Sequence, residues 1–189
     1  MLCYNPKTTE ELDNWVFSEV RFDPLALGKC EAIMSLGNGY MGLRSATEES
    51  YIGEKRNLFV NGTFNKFDEF EVSELSNAAD LTKLDIRIDG KPLSLEIGTV
   101  TVYERRLNLR DAELVRCFVW EHAGKKIGFV FRRFVSLDHL HQIGMRVEIR
   151  LLAGGANLSI SSGIDGQVTN SGSQHFHEGE KRIYDRTYL

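Results

Sequence analysis

Three glycines at the spacing of a dinucleotide-binding loop are the first feature of this sequence that could do chemistry. The segment Gly37–Gly42 reads Gly-Asn-Gly-Tyr-Met-Gly. In a nucleotide-binding fold such a loop leads into a helix whose N-terminal N–H groups hold the pyrophosphate. Residues 43–49 have no amphipathic helical pattern, and Arg56 and Asn57 stand where the ribose-binding acid is expected. The segment is therefore predicted to be a structural turn, and no cofactor is expected.

Paired carboxylates and paired histidines are the other candidates for chemistry. Glu48 and Glu49 are adjacent, and on an extended chain adjacent side chains point to opposite faces. A salt bridge or a solvated loop is therefore predicted for them instead of acid–base catalysis. His139-x-His141 and His175-x-His177 each place two imidazoles on one face of a strand. Two ligands are incomplete for zinc, so no metal site is expected.

Aromatic side chains are numerous enough to offer stacking surfaces for sugars. Buried aromatic side chains are far commoner than exposed ones, so a core position is favoured for most of them. A stand-alone carbohydrate-binding β-sandwich stays open as an alternative function. The aromatic residues concerned are Trp15, Tyr40, Phe59, Phe64, Phe67, Phe70 and Trp120.

The elements that must position these residues are predicted to be β-strands. Apolar and polar residues alternate in 84–89 and again in 145–151, which is the pattern of strands with one buried face. Asp89-Gly90 predicts a tight hairpin, because both central residues of that turn favour positive φ. Leu93–Tyr103 is expected to hold the returning strand or strands. No segment sustains a 3.6-residue period beyond two turns, so the helical crossovers of a parallel sheet are missing.

Two neighbouring segments, Glu113–Glu121 and Lys126–Phe131, are apolar on both faces. They are predicted to be paired strands, joined at His122–Lys125 and covered on both sides as in the middle of a large sandwich. Arg132-Arg133 is interpreted as the solvated end of the second strand.

Shorter elements are predicted elsewhere in the chain. Asn157–Ser161 is expected to be a strand with its two large apolar side chains pointing inward. Ala32–Leu36 is a plausible strand before the glycine segment. Thr8–Glu11 and Val72–Leu81 are each compatible with one short helical turn. The whole pattern predicts an all-β sandwich.

Composition excludes several classes of protein. The chain has 189 residues and a formal net charge of −4, whereas nucleic-acid affinity needs a concentrated basic surface; no nucleic-acid partner is expected. No apolar stretch approaches the roughly 20 residues that span a bilayer, and residues 1–13 have no signal-peptide core. These features predict no membrane partner and a cytoplasmic location. Cys3, Cys30 and Cys117 have long, irregular spacing, which predicts reduced thiols.

The stretch Ser35–Arg44, followed by Glu48-Glu49, resembles the N-terminal domain of glycoside hydrolase family 65, which comprises maltose, kojibiose and trehalose phosphorylases. Collinear matches cover nearly the whole chain, which makes them more specific than any one motif. They are Phe59–Asn65, Glu74–Asp80, Leu84–Gly90, Leu107–Arg110, Leu114–Arg116, Arg133–Ser136 and Ile164–Asn170. The sequence departs from the family pattern at Ser45, Ser76 and Asn108, where Gly, Pro and Asp are usual; these departures concern single turns and the substrate subgroup.

The resemblance implies a large antiparallel super-sandwich of the galactose-mutarotase type, incomplete at its C-terminal end. Residues 1–189 would be a single N-terminal domain, a fragment of a protein whose catalytic (α/α)₆ barrel is absent from this chain. The parent activity implied is inverting phosphorolysis of an α-glucoside such as maltose to β-glucose 1-phosphate.

The resemblance also implies a non-catalytic role for the sandwich, with no catalytic residue in this chain. The sandwich would support the barrel and a homodimer, and the disaccharide and phosphate would be partners of the parent protein. The candidates for facing the cleft or the domain interface are Asn38, Tyr40, Arg44, Glu48 and Glu49.

Overall fold

The protein is built almost entirely from antiparallel strands, in three sheets. The computed structural model describes residues 15–66, 69, 70, 72–168 and 170. The largest sheet has five strands in the order β1-β8-β9-β10-β11. Its strands are β1 (Val16–Glu19), β8 (Thr99–Asn108), β9 (Glu113–His122), β10 (Lys125–Val135) and β11 (Ile143–Ala153).

Two smaller sheets lie against one face of the five-stranded sheet. The four-stranded sheet has the order β2-β3-β4-β5 and the three-stranded sheet the order β12-β6-β7. Their strands are β2 (Leu36–Gly37), β3 (Met41–Leu43), β4 (Leu58–Asn65), β5 (Glu74–Asn77), β6 (Leu84–Ile88), β7 (Lys91–Pro92) and β12 (Leu158–Ser162). The two-layer arrangement confirms the predicted antiparallel sandwich.

The main core lies between these layers in two parts, and a smaller buried cluster of Val115, Cys117 and Val130 covers the other face of β9 and β10, as predicted for strands that are apolar on both faces. Under the three-stranded sheet, Ile86 and Ile88 pack with Phe118, Trp120 and the facing residues of β10. Under the four-stranded sheet, Met34 and apolar residues of β2, β3 and β4 pack against one end of β8, β9 and β10. The buried members of this cluster are Met34, Leu36, Met41, Leu43, Leu58, Leu107, Leu114 and Val135. Alternation delivers every second side chain of β6 to the space between the layers, whereas β9 is buried on both faces.

Two hairpins follow the predicted turn chemistry. Asp89 and Gly90 have φ of 49° and 78° and join β6 to β7, which confirms the predicted turn. Ala123 and Gly124 have φ of 49° and 76° and join β9 to β10. The expectation of returning strands over Leu93–Tyr103 is correct only in part, because β7 ends at Pro92 and β8 begins at Thr99 in a different sheet.

Two local predictions, the strand at Ala32–Leu36 and the helical turn at Val72–Leu81, are wrong. Ala32 and Ile33 close a helix, α1 (Leu27–Ile33), which follows a 3₁₀ turn at Pro24–Ala26. The Asp23 carboxylate accepts from Leu25 N at 2.9 Å, so Asp-Pro is a helix start that the alternation analysis missed. The segment predicted as a helical turn at Val72–Leu81 contains β5.

The inward orientation predicted for the large apolar residues of β12 is confirmed by the register, but their burial is incomplete, because Leu158 and Ile160 are 42% and 46% exposed. They align with Ile88 and Ile86 of β6. The strand lies at the edge of its sheet, where the facing layer does not cover it.

The cysteines differ from one another. Cys30 is a free thiol, whereas Cys117 is disulfide-bonded. The prediction of reduced thiols is therefore wrong for Cys117. The helical turn predicted at Thr8–Glu11 also lies outside the described residues. In the described part of the chain, no helix is both long and apolar enough to cross a membrane.

Candidate functional site

A buried ionic network joins the chain after β3 to the inner face of the five-stranded sheet. Arg116 Nη1 donates to Glu49 Oε1 at 2.6 Å, and Arg116 Nη2 donates to Glu48 Oε2 at 2.7 Å. Arg133 Nη2 donates to the other oxygen of Glu48 at 2.6 Å and its Nη1 to Ala46 O at 3.1 Å. We call Glu48, Glu49, Arg116 and Arg133 the arginine–glutamate network.

The strand alternation explains why the two arginines are inside. Arg116 is in phase with Leu114 and Phe118 on β9, so it points to the inner face like them. Arg133 is likewise in phase with Phe131 on β10 and is 1% exposed. The interpretation of Arg132-Arg133 as a solvated strand end is therefore wrong for Arg133.

The electrostatics of the network keep the Glu48 carboxylate ionised. Burial alone would raise the pKa of Glu48, but the charges of Arg116 and Arg133 outweigh it and lower that pKa to about 2. Burial likewise opposes the charge of Arg116, and the two glutamates more than offset it and raise the pKa of Arg116. An ionised carboxylate with both oxygens occupied has no proton to donate, so the network is built for holding structure.

The predicted salt bridge of Glu48 and Glu49 is confirmed, but their predicted divergence to opposite faces is wrong. Both carboxylates reach Arg116. Tyr51 fixes Glu49 further, since its hydroxyl donates to Glu49 Oε1 at 2.9 Å and accepts from Leu95 N at 3.0 Å. Burial and the neighbouring Glu49 charge raise the pKa of Tyr51, so its hydroxyl stays protonated.

A third arginine lies directly beside the network on β8. Arg105 is paired in register with Arg116 and is also buried. Its Nη1 lies 3.9 Å from Glu19 Oε2, which accepts from Tyr103 OH at 3.1 Å. Within the described residues neither Nη atom of Arg105 has a hydrogen-bond partner. Glu19 is therefore the carboxylate that faces Arg105, and the positive charge of Arg105 opposes that of the neighbouring Arg133.

The glycine segment forms the β2–β3 hairpin, which confirms the predicted structural turn. Asn38 Oδ1 accepts from Tyr40 N at 3.0 Å and Met41 N at 2.8 Å, and Gly39 has φ of 84°. Asn38 Nδ2 donates to Ser136 O at 2.6 Å and Leu140 O at 3.0 Å. One side chain therefore closes the turn and ties it to the loop after β10.

Tyr40 and the same loop form a half-exposed aromatic corner. The Tyr40 ring meets the His141 ring edge-on, with 4.4 Å between centroids. His139 and His141 lie in this turn and not on a strand as predicted, and the pair His175-x-His177 lies outside the described residues. Among the described residues, no group of three or more His, Cys, Asp or Glu is placed to hold a metal ion.

Arg44 contacts helix α1 and not the aromatic corner. Its Nε donates to Glu31 Oε2 at 2.8 Å and its Nη2 to Gly28 O at 2.9 Å. The pair fastens β3 to helix α1. The five candidate residues thus divide into a surface group, Asn38, Tyr40 and Arg44, and a buried group, Glu48 and Glu49.

The family assignment rests on the whole length of the described sandwich. The sequence profile of the Glycosyl hydrolase family 65 N-terminal domain matches residues 17–188. This chain belongs to that family. Kojibiose phosphorylase of Halothermothrix orenii is 47% identical over 174 residues, covering 92% of this chain and 22% of the relative. Maltose phosphorylase of Bacillus subtilis is 25% identical over 177 residues, covering 87% and 23%.

A solved structure shows the same fold. A protein described as a putative kojibiose phosphorylase from human microbiome superimposes with a TM-score of 0.68 at 21% identity, covering 74% of this chain and 20% of that one. The chain therefore spans about a fifth of the length of the relatives that it matches.

Proposed function

We propose that this chain is the non-catalytic N-terminal sandwich of a family 65 phosphorylase that cleaves an α-glucosidic disaccharide with phosphate to give β-glucose 1-phosphate. The observation that carries the proposal is the collinear family match over residues 17–188. The 47% identity to a kojibiose phosphorylase makes kojibiose the first substrate to test.

The state of the buried carboxylates supports a structural role for the sandwich. Phosphorolysis needs a carboxylic acid that is protonated before it donates to the leaving oxygen. Glu48 is held ionised with a pKa of about 2. Both of its oxygens, and both oxygens of Glu49, are occupied by arginine.

The aromatic corner is the proposed contact with the catalytic barrel. Asn38 holds the hairpin and the 136–142 loop together, so the half-exposed Tyr40 ring is presented on a rigid support. Leu137 and Leu140 are exposed beside it. A rigid aromatic and aliphatic cluster of this kind suits a domain interface. Arg44 directly follows β3, and the buried Glu48 and Glu49 hold the chain behind it.

Activity assays test the catalytic part of the proposal. We expect the 189-residue chain to release no β-glucose 1-phosphate from kojibiose, maltose or trehalose with phosphate. The longer protein that carries this domain should release it from one of them. Turnover by the 189-residue chain alone would overturn the non-catalytic role, and a longer protein that is inactive on all three sugars would overturn the proposed parent activity.

A substitution in the longer protein tests the interface. Tyr40→Ala should lower the thermal midpoint and the phosphorolysis rate together, because the barrel loses its rigid support. Phe64→Ala is the matched control, since Phe64 is an exposed aromatic on β4. Equal behaviour of the two variants would remove the aromatic corner from the interface.

The remaining partners and the location belong to the same proposal. A homodimer of the longer protein is expected, without nucleic-acid or membrane partners, and light scattering measures the assembly. A cytoplasmic location is proposed, although disulfides are rare in that compartment and Cys117 is disulfide-bonded. Because Cys117 is buried, cells are quenched with acid and the thiols are alkylated under denaturing conditions: an alkylated Cys117 supports the cytoplasm, and one that reacts only after reduction contradicts it.

A further inference from the structure

A polar cavity of about 220 Å³ opens where three separate segments of the chain meet. Asp80 and Asp165 pair there through two backbone hydrogen bonds of 2.8 and 2.9 Å. The side-chain amide of Asn77 accepts a hydrogen bond from Leu58 N at 2.9 Å and donates one to Arg56 O at 3.1 Å. Hydrogen bonds to backbone groups therefore fix the three segments that form the walls of the cavity. The segments contribute residues within 54–57, 77–83 and 165–168.

One carboxylate oxygen in this cavity is buried without a hydrogen bond. Asp80 Oδ1 accepts from Thr82 N at 2.8 Å and from Thr82 Oγ1 at 2.9 Å. Asp80 Oδ2 has no hydrogen-bond partner among the described residues, although the side chain is only 5% exposed. Arg56 Nη1 lies 3.5 Å from it, which is beyond an ordinary hydrogen bond. This oxygen therefore has acceptor capacity left for a hydroxyl donor, from water or from a ligand.

Four further side chains present unused polar groups to the same space. Lys55, Asn57, Lys83 and Gln167 line the cavity. None of their side chains forms a hydrogen bond or ion pair with the part of the chain that the structure describes. The cavity therefore offers ammonium donors, amide donors and acceptors, and one carboxylate acceptor at close range.

The balance of charge decides which ligand class fits. Three basic residues, Lys55, Arg56 and Lys83, face three acidic ones, Glu54, Asp80 and Asp165, so the formal charges cancel. A phosphate would meet the carboxylates, and a metal cation would meet the basic groups. A neutral polyol has hydroxyls that both donate and accept, so it satisfies both kinds of group at once.

We propose that this cavity binds one hexose unit of a carbohydrate. Asp80 Oδ2 accepts a hydrogen bond from one sugar hydroxyl. Lys55 and Lys83 donate to others, and the amides of Asn57 and Gln167 donate or accept at the rim. The volume suits a single pyranose ring. The lining contains no aromatic side chain, so binding relies on hydrogen bonds instead of stacking. This ligand site goes beyond the proposed supporting role of the sandwich.

Titration of the ¹⁵N-labelled 189-residue chain with D-glucose tests the proposal. The side-chain amide signals of Asn57 and Gln167 should move with one common saturation curve. Lys83→Met and Gln167→Leu, at exposed positions, should each weaken binding about tenfold, the loss expected for one hydrogen bond to a charged or buried group. Lys91→Met is the matched control, because Lys91 is an exposed lysine on β7 outside the cavity. Its binding curve should equal that of the parent chain.

Three results would overturn the inference: no saturable shift with D-glucose, saturation with inorganic phosphate but not with glucose, or unchanged glucose affinity in both cavity variants. Circular dichroism melting confirms that the variants stay folded, and Asp80→Asn adds a third variant that alters the buried oxygen alone. The outcome is separable from the proposed function. Phosphorolysis by the longer protein without glucose binding here defeats only this inference, and glucose binding without phosphorolysis defeats only the parent activity.

Discussion

The inner face of β9 and β10 has two halves of opposite chemistry on the same strands. Towards the β9–β10 hairpin, Phe118 and Phe129 are 0% exposed and stack with 5.1 Å between centroids. Towards the other end, Arg116 and Arg133 are 3% and 1% exposed and bind Glu48 and Glu49. Burial is equal in the two halves, so exposure alone does not separate an aromatic core from an ionic one.

The difference lies in what each half requires from the facing layer. Aromatic rings gain from any apolar surface that fills the space, and their packing tolerates modest changes of partner. Buried guanidinium groups need carboxylates at fixed positions, because an unpaired buried charge is costly. The aromatic half therefore supplies non-directional stability, and the ionic half fixes where the 46–49 segment crosses the sheet.

The largest expected effect comes from removing one partner of the ionic half. Arg116→Met leaves Glu48 short of one charge and Glu49 without its ion pair, both buried. Breaking a buried pair in this way costs about 3–5 kcal/mol in the free energy of unfolding. Urea denaturation monitored by tryptophan fluorescence measures the loss.

Arg132→Met is the control for that variant. Arg132 is next to Arg133 on β10, and its ion pair with Glu113 is partly exposed. Exposed pairs contribute about 0–1 kcal/mol. Similar losses for Arg116→Met and Arg132→Met would show that the ionic half is no more demanding than the surface.

Acid separates the two halves next, because only the ionic half titrates. The pKa of Glu48 is about 2 in the folded chain, against an ordinary 4.5. The lowered value means that its stabilisation is complete above about pH 4.5 and is lost as the pH falls towards 2. A shift of that size corresponds to about 3 kcal/mol. Glu48→Gln should flatten the free energy of unfolding over this window, and an unchanged slope would contradict the assignment.

Glu54 contributes to the same profile with the opposite sign. Burial raises its pKa, although hydrogen bonds from Thr47 and the charge of Arg56 oppose the shift. A raised folded pKa stabilises the protein at low pH, and that stabilisation is lost as the pH rises through the folded value. Glu54→Gln should therefore steepen the acid-induced loss of stability. A shallower loss would mean that Glu54 is held ionised like Glu48.

Local sequence patterns predicted the strands of the aromatic half better than the contacts of the ionic half. The period-two alternation located β6 and β11, the segments that are apolar on both faces located β9 and β10, and the two residues Asp89-Gly90 predicted the turn. These features depend on neighbours in sequence. The helix at Leu27–Ile33 was not predicted, although Asp23-Pro24 is a typical helix start. The apolar pattern of 32–36 was interpreted as a strand, and the capping residues before it were not considered.

The ionic half was hidden for a different reason. Arginine is rarely buried without partners, so Arg133 was assigned to solvent. Its partner Glu48 is 85 positions away, and Arg116 is 67 positions from Glu49. Alternation along the strand could have predicted the burial of both arginines. Each lies two residues from a buried phenylalanine on its own strand and therefore points to the same face. The polar cavity was equally invisible, because the fold alone brings its three segments together.

The smallest predicted effect lies at the boundary between the two halves, where Phe131 touches both. The Arg116 guanidinium carbon lies 4.6 Å from the Phe131 centroid, and the Phe131 ring is parallel to that of Phe129 at 6.1 Å. Leucine in place of either ring loses similar packing, but only Phe131→Leu also loses the cation–π contact.

We therefore expect Phe131→Leu to cost about 1 kcal/mol more than Phe129→Leu in the free energy of unfolding, since a buried cation–π contact contributes about 0.5–2 kcal/mol. A double-mutant cycle assigns the excess, because in the Arg116→Met background the two leucine variants should become equivalent. An excess that persists without Arg116 would place it in ring packing. The aromatic half would then extend one residue further along β10 than the contacts indicate.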